Sequence, residues 1–225
     1  SLLTQGAQQG IESISEQSKI MTEYNLANFL SPLPLMREVQ DLKNLNKIIY
    51  DKIIDVRKRI ESVMEKRKSF ETNFSKLIGS KYAVGVNSGT DAIKLSLRVL
   101  NVHAGDEVIT AANTFVATVG AIAEIGAKPV FVDCDNTFCM NVDLLEKKIT
   151  RKTKAIVPVH LTGYMTNMPK LKKIAKKYGI PIVEDACQAH GAIYKDKKVG
   201  SLGDVGCFSF YPTKNMTVGG DGGMT

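Results

Sequence analysis

The chain has 225 residues, of which 44% are hydrophobic and 24% charged, and carries a formal net charge of +7. This composition describes a globular chain with a sizeable core and excludes a disordered one. Much of the basic excess lies in Lys147–Lys154 and Lys170–Lys177. It reads as solvated helix faces and loops, or as attraction for an anionic substrate. Nucleic acid is not expected as a partner, because the lysines are not interleaved with aromatics and no nucleic-acid-binding motif accompanies them.

Residues 1–34 are rich in Gln, Ser and Glu and end in Ser31-Pro32-Leu33-Pro34. They read as an N-terminal extension, helical around Ile11–Ile20. From Leu35 to Leu77 the apolar residues Leu42, Leu45, Ile49, Ile53, Val56, Ile60 and Val63 recur at spacings of three and four, which predicts a long helix. Such a stripe normally packs on a core or on a partner helix.

After Gly79 the texture changes. Strands are expected at Tyr82–Val86, Glu107–Thr110, Pro129–Asp133, Ala155–Val159, Pro181–Glu184 and Val205–Phe210. Helices are expected at Ala92–Leu100, Phe115–Ile125, Val142–Ile149 and Pro169–Tyr178. Apolar strands joined by crossover helices imply an α/β fold, a mostly parallel sheet covered on both faces. Ligands bind such sheets at the carboxyl ends of the strands.

The cysteines, Cys134, Cys139, Cys187 and Cys207, form no Cys-x-x-Cys pair, and the chain has three histidines. Neither a metal site nor a disulfide framework is expected, which suits a cytoplasmic location. No apolar run reaches membrane-spanning length and no signal peptide is evident, so no membrane partner is expected.

Four segments carry candidate chemistry, all at one edge of the expected sheet. Asn87-Ser88-Gly89-Thr90-Asp91 follows a strand and opens a helix, where a glycine and exposed N–H groups can bind a phosphate. The same residue types also serve as ordinary N-caps. Phe115, at a strand-to-helix turn, can lie against a flat cofactor ring or face the core. Glu184-Asp185 ends a buried strand, where a carboxylate is costly unless paired. Asp185 can hold a pyridinium N–H, or either acid can form a structural salt bridge, and alternation points Glu184 to the opposite face. Ser209 through Lys214 precedes the glycine-rich stretch Gly219–Gly223. There Ser209 can donate to a phosphate. Lys214, otherwise a surface lysine, can form an imine with pyridoxal phosphate and then act as a general base.

Taken together, these segments resemble the sugar aminotransferases of the DegT/DnrJ/EryC1/StrS family, with the three-layer α/β/α architecture of the pyridoxal-phosphate fold-type I large domain. The likeness runs from Phe70 to Thr225. It includes Gly105–Thr110, Thr114–Thr118, Gly126–Asp133, Val159-His160-Leu161, Glu184-Asp185-Ala186 and Phe208–Lys214. The resemblance implies a cofactor, pyridoxal 5'-phosphate, held as a Schiff base on Lys214. Its phosphate would be bound by Gly89 and Thr90 with Ser209 assisting. Phe115 would stack on the ring, Asp185 would hold the ring nitrogen and Gln188 would contact the ring hydroxyl. His160 lies near the site in the family pattern. The implied catalytic residues are Lys214 and Asp185, and a metal is not part of the set.

The resemblance further implies transfer of an amino group from an amino acid, commonly glutamate, to a nucleotide-linked keto sugar, by a homodimer. Residues 35–225 then form a pyridoxal-phosphate-binding large domain that stops before the small C-terminal domain of relatives. The strand-like end Gly223-Met224-Thr225 favours a fragment of a longer chain. Relatives generally have a Gly-rich turn where Glu61–Phe74 runs here through charged helical sequence. The alternative function is a catalytically silent binding or regulatory protein of the same fold. A dinucleotide-binding domain fits poorly, because Gly85 and Gly89 do not make a Gly-x-Gly-x-x-Gly fingerprint.

Overall fold

The computed structural model describes residues 33–225, so the helix expected around Ile11–Ile20 lies outside the described residues. Contacts divide the chain into two compact units, Ser1–Lys66 and Arg67–Thr225. Helix α1 spans Leu33–Ile78. It has no glycine or proline after Pro34. It ends at Gly79, whose φ of 84° is the left-handed conformation that closes helices. The Gly79 N–H donates to the Ser75 carbonyl at 2.8 Å.

Within the first unit the expected apolar stripe is present but not buried. Leu42, Leu45, Ile49, Val56, Ile60 and Val63 are between 45% and 64% exposed, and Ile53 is half-buried.

The second unit is built on strands β1 (Gly85–Val86), β2 (Glu107–Ala111), β3 (Lys128–Val132), β4 (Thr153–Val157), β5 (Val183–Asp185), β8 (Val205–Ser209) and β9 (Gly223–Met224). One sheet has the order β3-β2-β4 and the other β1-β9-β8-β5. Parallel bridges Ile156–Ile182 and Val159–Asp185 join them, β4 beside β5. Strand β9 runs antiparallel to both its neighbours, β1 and β8. Helices α2 (Gly89–Val99), α3 (Val116–Glu124) and α4 (Met168–Tyr178) connect the strands.

Strand alternation sorts the core into two faces. Ile109 and Ile156 pack with Leu171, Ile174 and Ala175 of α4 on one side. Val108, Ala155 and Val157 pack with Ile93 and Leu97 of α2 and Ile122 of α3 on the other. This is the expected three-layer, mostly parallel α/β architecture. A third cluster gathers Phe74 and Ile78 of α1 with Phe208, Phe210 and Met224. Phe74 meets Phe208 and Phe210 edge-on, at centroid distances of 5.0 and 5.5 Å. Such pairs contribute about 1 kcal/mol each beyond area burial.

Two local expectations change. Val142–Ile149 is not an α-helix but two 3-10 turns, Val142–Leu144 and Glu146–Lys148. The three-residue spacing of Val142 and Leu145, both buried, matches the 3-10 period, and the segment is too short to propagate an α-helix. A hairpin, β6 (Ile193–Tyr194) with β7 (Lys197–Lys198), also forms where none was expected. Its turn places Lys195 at a φ of 51°, and it has no Asn-Gly or Asp-Gly pair to announce it.

Candidate active site

The carboxyl ends of β5 and β8 and the amino ends of α2 and α3 surround a cavity of about 430 Å³. Ser88 caps α2, its hydroxyl accepting from the Asp91 N–H at 3.0 Å. The capping reading of this segment is thus correct for Ser88, while Gly89 and Thr90 line the cavity at the first turn. N–H groups there have no intrahelical acceptor and the helix dipole favours an anion. Gly89 is held to glycine by its neighbours. A Cβ there would lie 2.7 Å from both Cys187 Sγ and Ser209 Cβ. Gly223 of β9 is equally constrained, since a Cβ would come within 2.3 Å of the Ser88 carbonyl oxygen. The glycine-rich stretch thus packs β9 directly behind the helix-opening loop. Ser209 ends β8 and lines the same cavity.

Asp185 ends β5 and is 6% exposed. Its Oδ2 accepts from the Thr118 hydroxyl at 2.6 Å and its Oδ1 from the Cys187 N–H at 3.2 Å. Thr118 was not among the residues expected to matter. It lies one helical turn beyond Thr114, with the two hydroxyl oxygens 2.6 Å apart; that i,i+4 spacing and its place in the Thr114–Thr118 stretch were its sequence signals, and neither assigned it a role. Phe115, the N-cap residue of α3, is 55% exposed rather than packed in the core. Gln188 and Cys187 also face the cavity. Burial, and after it the Asp185 carboxylate, push the Cys187 thiol well above its ordinary value, so it stays protonated and is a poor nucleophile.

Lys214 sits on the turn between β8 and β9, its N–H donating to the Tyr211 carbonyl at 2.8 Å. It is half-buried, and its Nζ lies 5.3 Å from the centroid of the Phe115 ring. Gly89, Thr90, Phe115, Asp185, Gln188, Ser209 and Lys214 therefore all line one cavity.

His160 does not. It is fully buried behind the sheet edge, while its neighbours Val159 and Leu161 face the cavity. Its Nε2 lies 3.2 Å from Glu184 Oε2, and its Nδ1 accepts from the Thr166 N–H at 3.4 Å. These bonds describe the Nε2–H tautomer, which donates to Glu184. Glu184 also accepts from the N–H groups of Gly200 at 3.0 Å, Leu202 at 2.7 Å and Gly203. Burial acts to raise the Glu184 carboxyl. The His160 and backbone hydrogen bonds outweigh it and leave the group below its usual range. The adjacent acids thus divide, Asp185 toward the cavity and Glu184 into a structural network.

The donor set fits a phosphorylated pyridine: an anion-binding helix terminus kept open by Gly89, a flat aromatic face, a carboxylate already held on two sides, and an amine within reach. Sheet order and site together define the fold-type I architecture. The chain belongs to the DegT/DnrJ/EryC1/StrS aminotransferase family, whose sequence model matches residues 50–225.

Among curated relatives, a UDP-N-acetyl-3-dehydro-alpha-D-glucosamine 3-aminotransferase of Acidithiobacillus ferrooxidans is 48% identical over 158 residues, covering 70% of this chain and 43% of its own. Among solved structures, an aminotransferase from Psychrobacter cryohalolentis is similar at a TM-score of 0.70 and 42% identity, covering 71% of this chain and 41% of its own. NtdA from Bacillus subtilis, solved with bound cofactor PMP, is similar at a TM-score of 0.67 and 35% identity, covering 77% of this chain and 41% of its own. The chain thus spans less than half the length of each of these three proteins.

Proposed function

We propose that this chain supplies the pyridoxal-phosphate-binding large domain of an aminotransferase that moves an amino group from an amino acid, glutamate being the favoured donor, to a nucleotide-linked keto sugar. The carrying observation is the convergence of Gly89, Thr90, Phe115, Asp185, Gln188, Ser209 and Lys214 on one cavity, with the Lys214 amine over the Phe115 ring. Pyridoxal phosphate, when bound, supplies an aldehyde that exchanges amino groups and a ring that takes up the electron pair left when a carbon loses its proton.

Each residue then has one task. Gly89 and Thr90 offer N–H groups, and Ser209 a hydroxyl, to the phosphate. Phe115 packs against one face of the ring and keeps water from it. Asp185 keeps a proton on the ring nitrogen, and Gln188 reaches the ring hydroxyl. Lys214 anchors the cofactor through its amine. Released from that role, Lys214 Nζ would be placed to take up and return a proton as the general base. The sugar-nucleotide class rests on family membership and on the activity named for the Acidithiobacillus relative. The net charge of +7 suits a diphosphate-bearing substrate. A homodimer is the assembly this reading favours, with the exposed stripe from Leu42 to Val63 as a contributing surface.

The test is direct. Purified protein mixed with pyridoxal phosphate should develop a visible absorbance band. Borohydride should abolish that band and leave the cofactor covalently attached to the peptide containing Lys214. Absence of the adduct, or its persistence in Lys214→Ala, overturns the assignment. Formation of more than one equivalent of 2-oxoglutarate per protein from glutamate only when a nucleotide-linked keto sugar is present tests the substrate class.

A further inference from the structure

The geometry points to Thr118 as a positioning residue that aims the Asp185 carboxylate at the ring nitrogen, with Thr114 behind it. This inference rests on the cofactor reading above. The Thr118 hydroxyl donates its hydrogen to Asp185 Oδ2 at 2.6 Å. A hydroxyl has one hydrogen to give. The 2.6 Å contact between the Thr114 and Thr118 oxygens is therefore donated by Thr114, for which the alternative acceptor, the Phe115 carbonyl, lies farther away at 3.4 Å. The result is a directed chain from Thr114 through Thr118 to Asp185. A hydroxyl that receives one hydrogen bond is a stronger donor in the next.

Thr118 is fully buried and Asp185 nearly so, and water cannot readily replace the bond. With the Cys187 N–H on Oδ1, both carboxylate oxygens are fixed from the protein side. The carboxylate cannot rotate freely, and its remaining lone pairs face the cavity. The first turn of α3 thereby does two things at once. Phe115 offers the ring face, and Thr114 and Thr118 set the carboxylate that meets the ring nitrogen.

The experiment compares binding of pyridoxal phosphate with binding of its analogue in which a C–H replaces the ring nitrogen. Proteins carrying Thr118→Val, Thr118→Ser and Asp185→Ala are measured, together with the Thr118→Val/Asp185→Ala double variant. Wild type should prefer pyridoxal phosphate. Thr118→Val should lose about tenfold of that preference, the scale of one hydrogen bond to a charged group. It should leave affinity for the analogue unchanged. Thr118→Ser should restore the preference, and Thr118→Val should have no further effect in the Asp185→Ala background. Equal weakening of both ligands, or no change, overturns the inference.

Urea unfolding of wild type, Thr118→Val, Asp185→Ala and the double variant without cofactor separates this result from failure of the cofactor reading. The cost of Thr118→Val should shrink when Asp185 is already alanine, and an undiminished cost would show that Thr118 serves packing alone. If wild type binds neither ligand, the cofactor reading falls, and this cycle still decides whether Thr118 holds Asp185.

Discussion

Lys214 Nζ lies 5.3 Å from the centroid of the Phe115 ring, though one residue stands on the turn after β8 and the other opens α3. A flat ligand in the cavity can therefore meet an aromatic face and a primary amine at once. A cation over a partly exposed ring is worth roughly 0.5–1 kcal/mol, so the contact by itself does little for stability. Its value is positional.

Removing the ring should separate binding from attachment. Phe115→Ala is expected to weaken pyridoxal phosphate binding about tenfold, the scale of a lost aromatic contact. Borohydride should still fix the cofactor to Lys214, and Phe115→Tyr should bind like wild type. An absorbance titration followed by peptide mass spectrometry gives both readouts. Unchanged affinity in Phe115→Ala would remove the ring from the site.

Gly89 tests the phosphate end. An alanine Cβ would sit 2.7 Å from Ser209 Cβ and from Cys187 Sγ, a distance at which something must shift. Ser209 is a strand residue whose Cβ cannot swing away, so the loop or the end of β8 has to move. Gly89→Ala should cost about 1–3 kcal/mol, typical of overpacking a close-packed site. It should also weaken inorganic phosphate as a competitor of cofactor binding. A variant with wild-type melting and wild-type phosphate competition would contradict this account of the loop.

Much of this site was legible because it was carried by residues whose local chemistry is distinctive. Buried parallel strands read as apolar runs, and hydroxyl, glycine and acidic residues at their ends stand out against them. Gly89, Asp185 and Lys214 were found that way. Thr118 was given no role, because its partner Asp185 lies on β5 and spacing along one helix cannot reveal a contact across elements. His160 shows the reverse case. The family pattern drew it toward the site, yet it faces the other side with Glu184, in keeping with the alternation that separates Glu184 from Asp185. The exposed stripe on α1 shows that periodicity specifies a face without specifying what covers it.

Glu184 should govern acid stability below the ordinary carboxylate range. Its folded-state proton affinity is depressed, so it stabilises the fold fully above the usual value of 4.5 and loses that contribution as pH falls through the lower folded value. Glu184→Gln places an amide N–H₂ among the Gly200, Leu202 and Gly203 N–H donors and removes the charge. A cost of about 3 kcal/mol at neutral pH is expected, the scale of breaking a buried, hydrogen-bonded charge. The variant's melting temperature should then vary less between pH 5 and 3 (about the span over which a depressed carboxylate titrates) than that of wild type. Parallel curves for the two proteins would assign the acid sensitivity elsewhere.

His190 should act in a higher window. Its ring packs 5.5 Å from that of Phe208 and 5.8 Å from that of Phe210. Burial there, joined by the charge of Lys214 and opposed by the Ser209 backbone, holds the imidazole below its usual 6.5. The folded state thus favours the neutral ring. Its contribution is fully present above 6.5 and is lost as pH falls through the folded value, the direction shared with Glu184 but starting earlier. His190→Phe keeps an aromatic against Phe208 and Phe210 and has nothing to protonate. Its melting temperature should stay flat from about pH 7 to pH 5, the range of an ordinary or modestly depressed imidazole, where wild type declines. The two curves should then fall together at lower pH as Glu184 takes up its proton. If wild type shows no decline in the upper window, protonation of His190 is not coupled to unfolding.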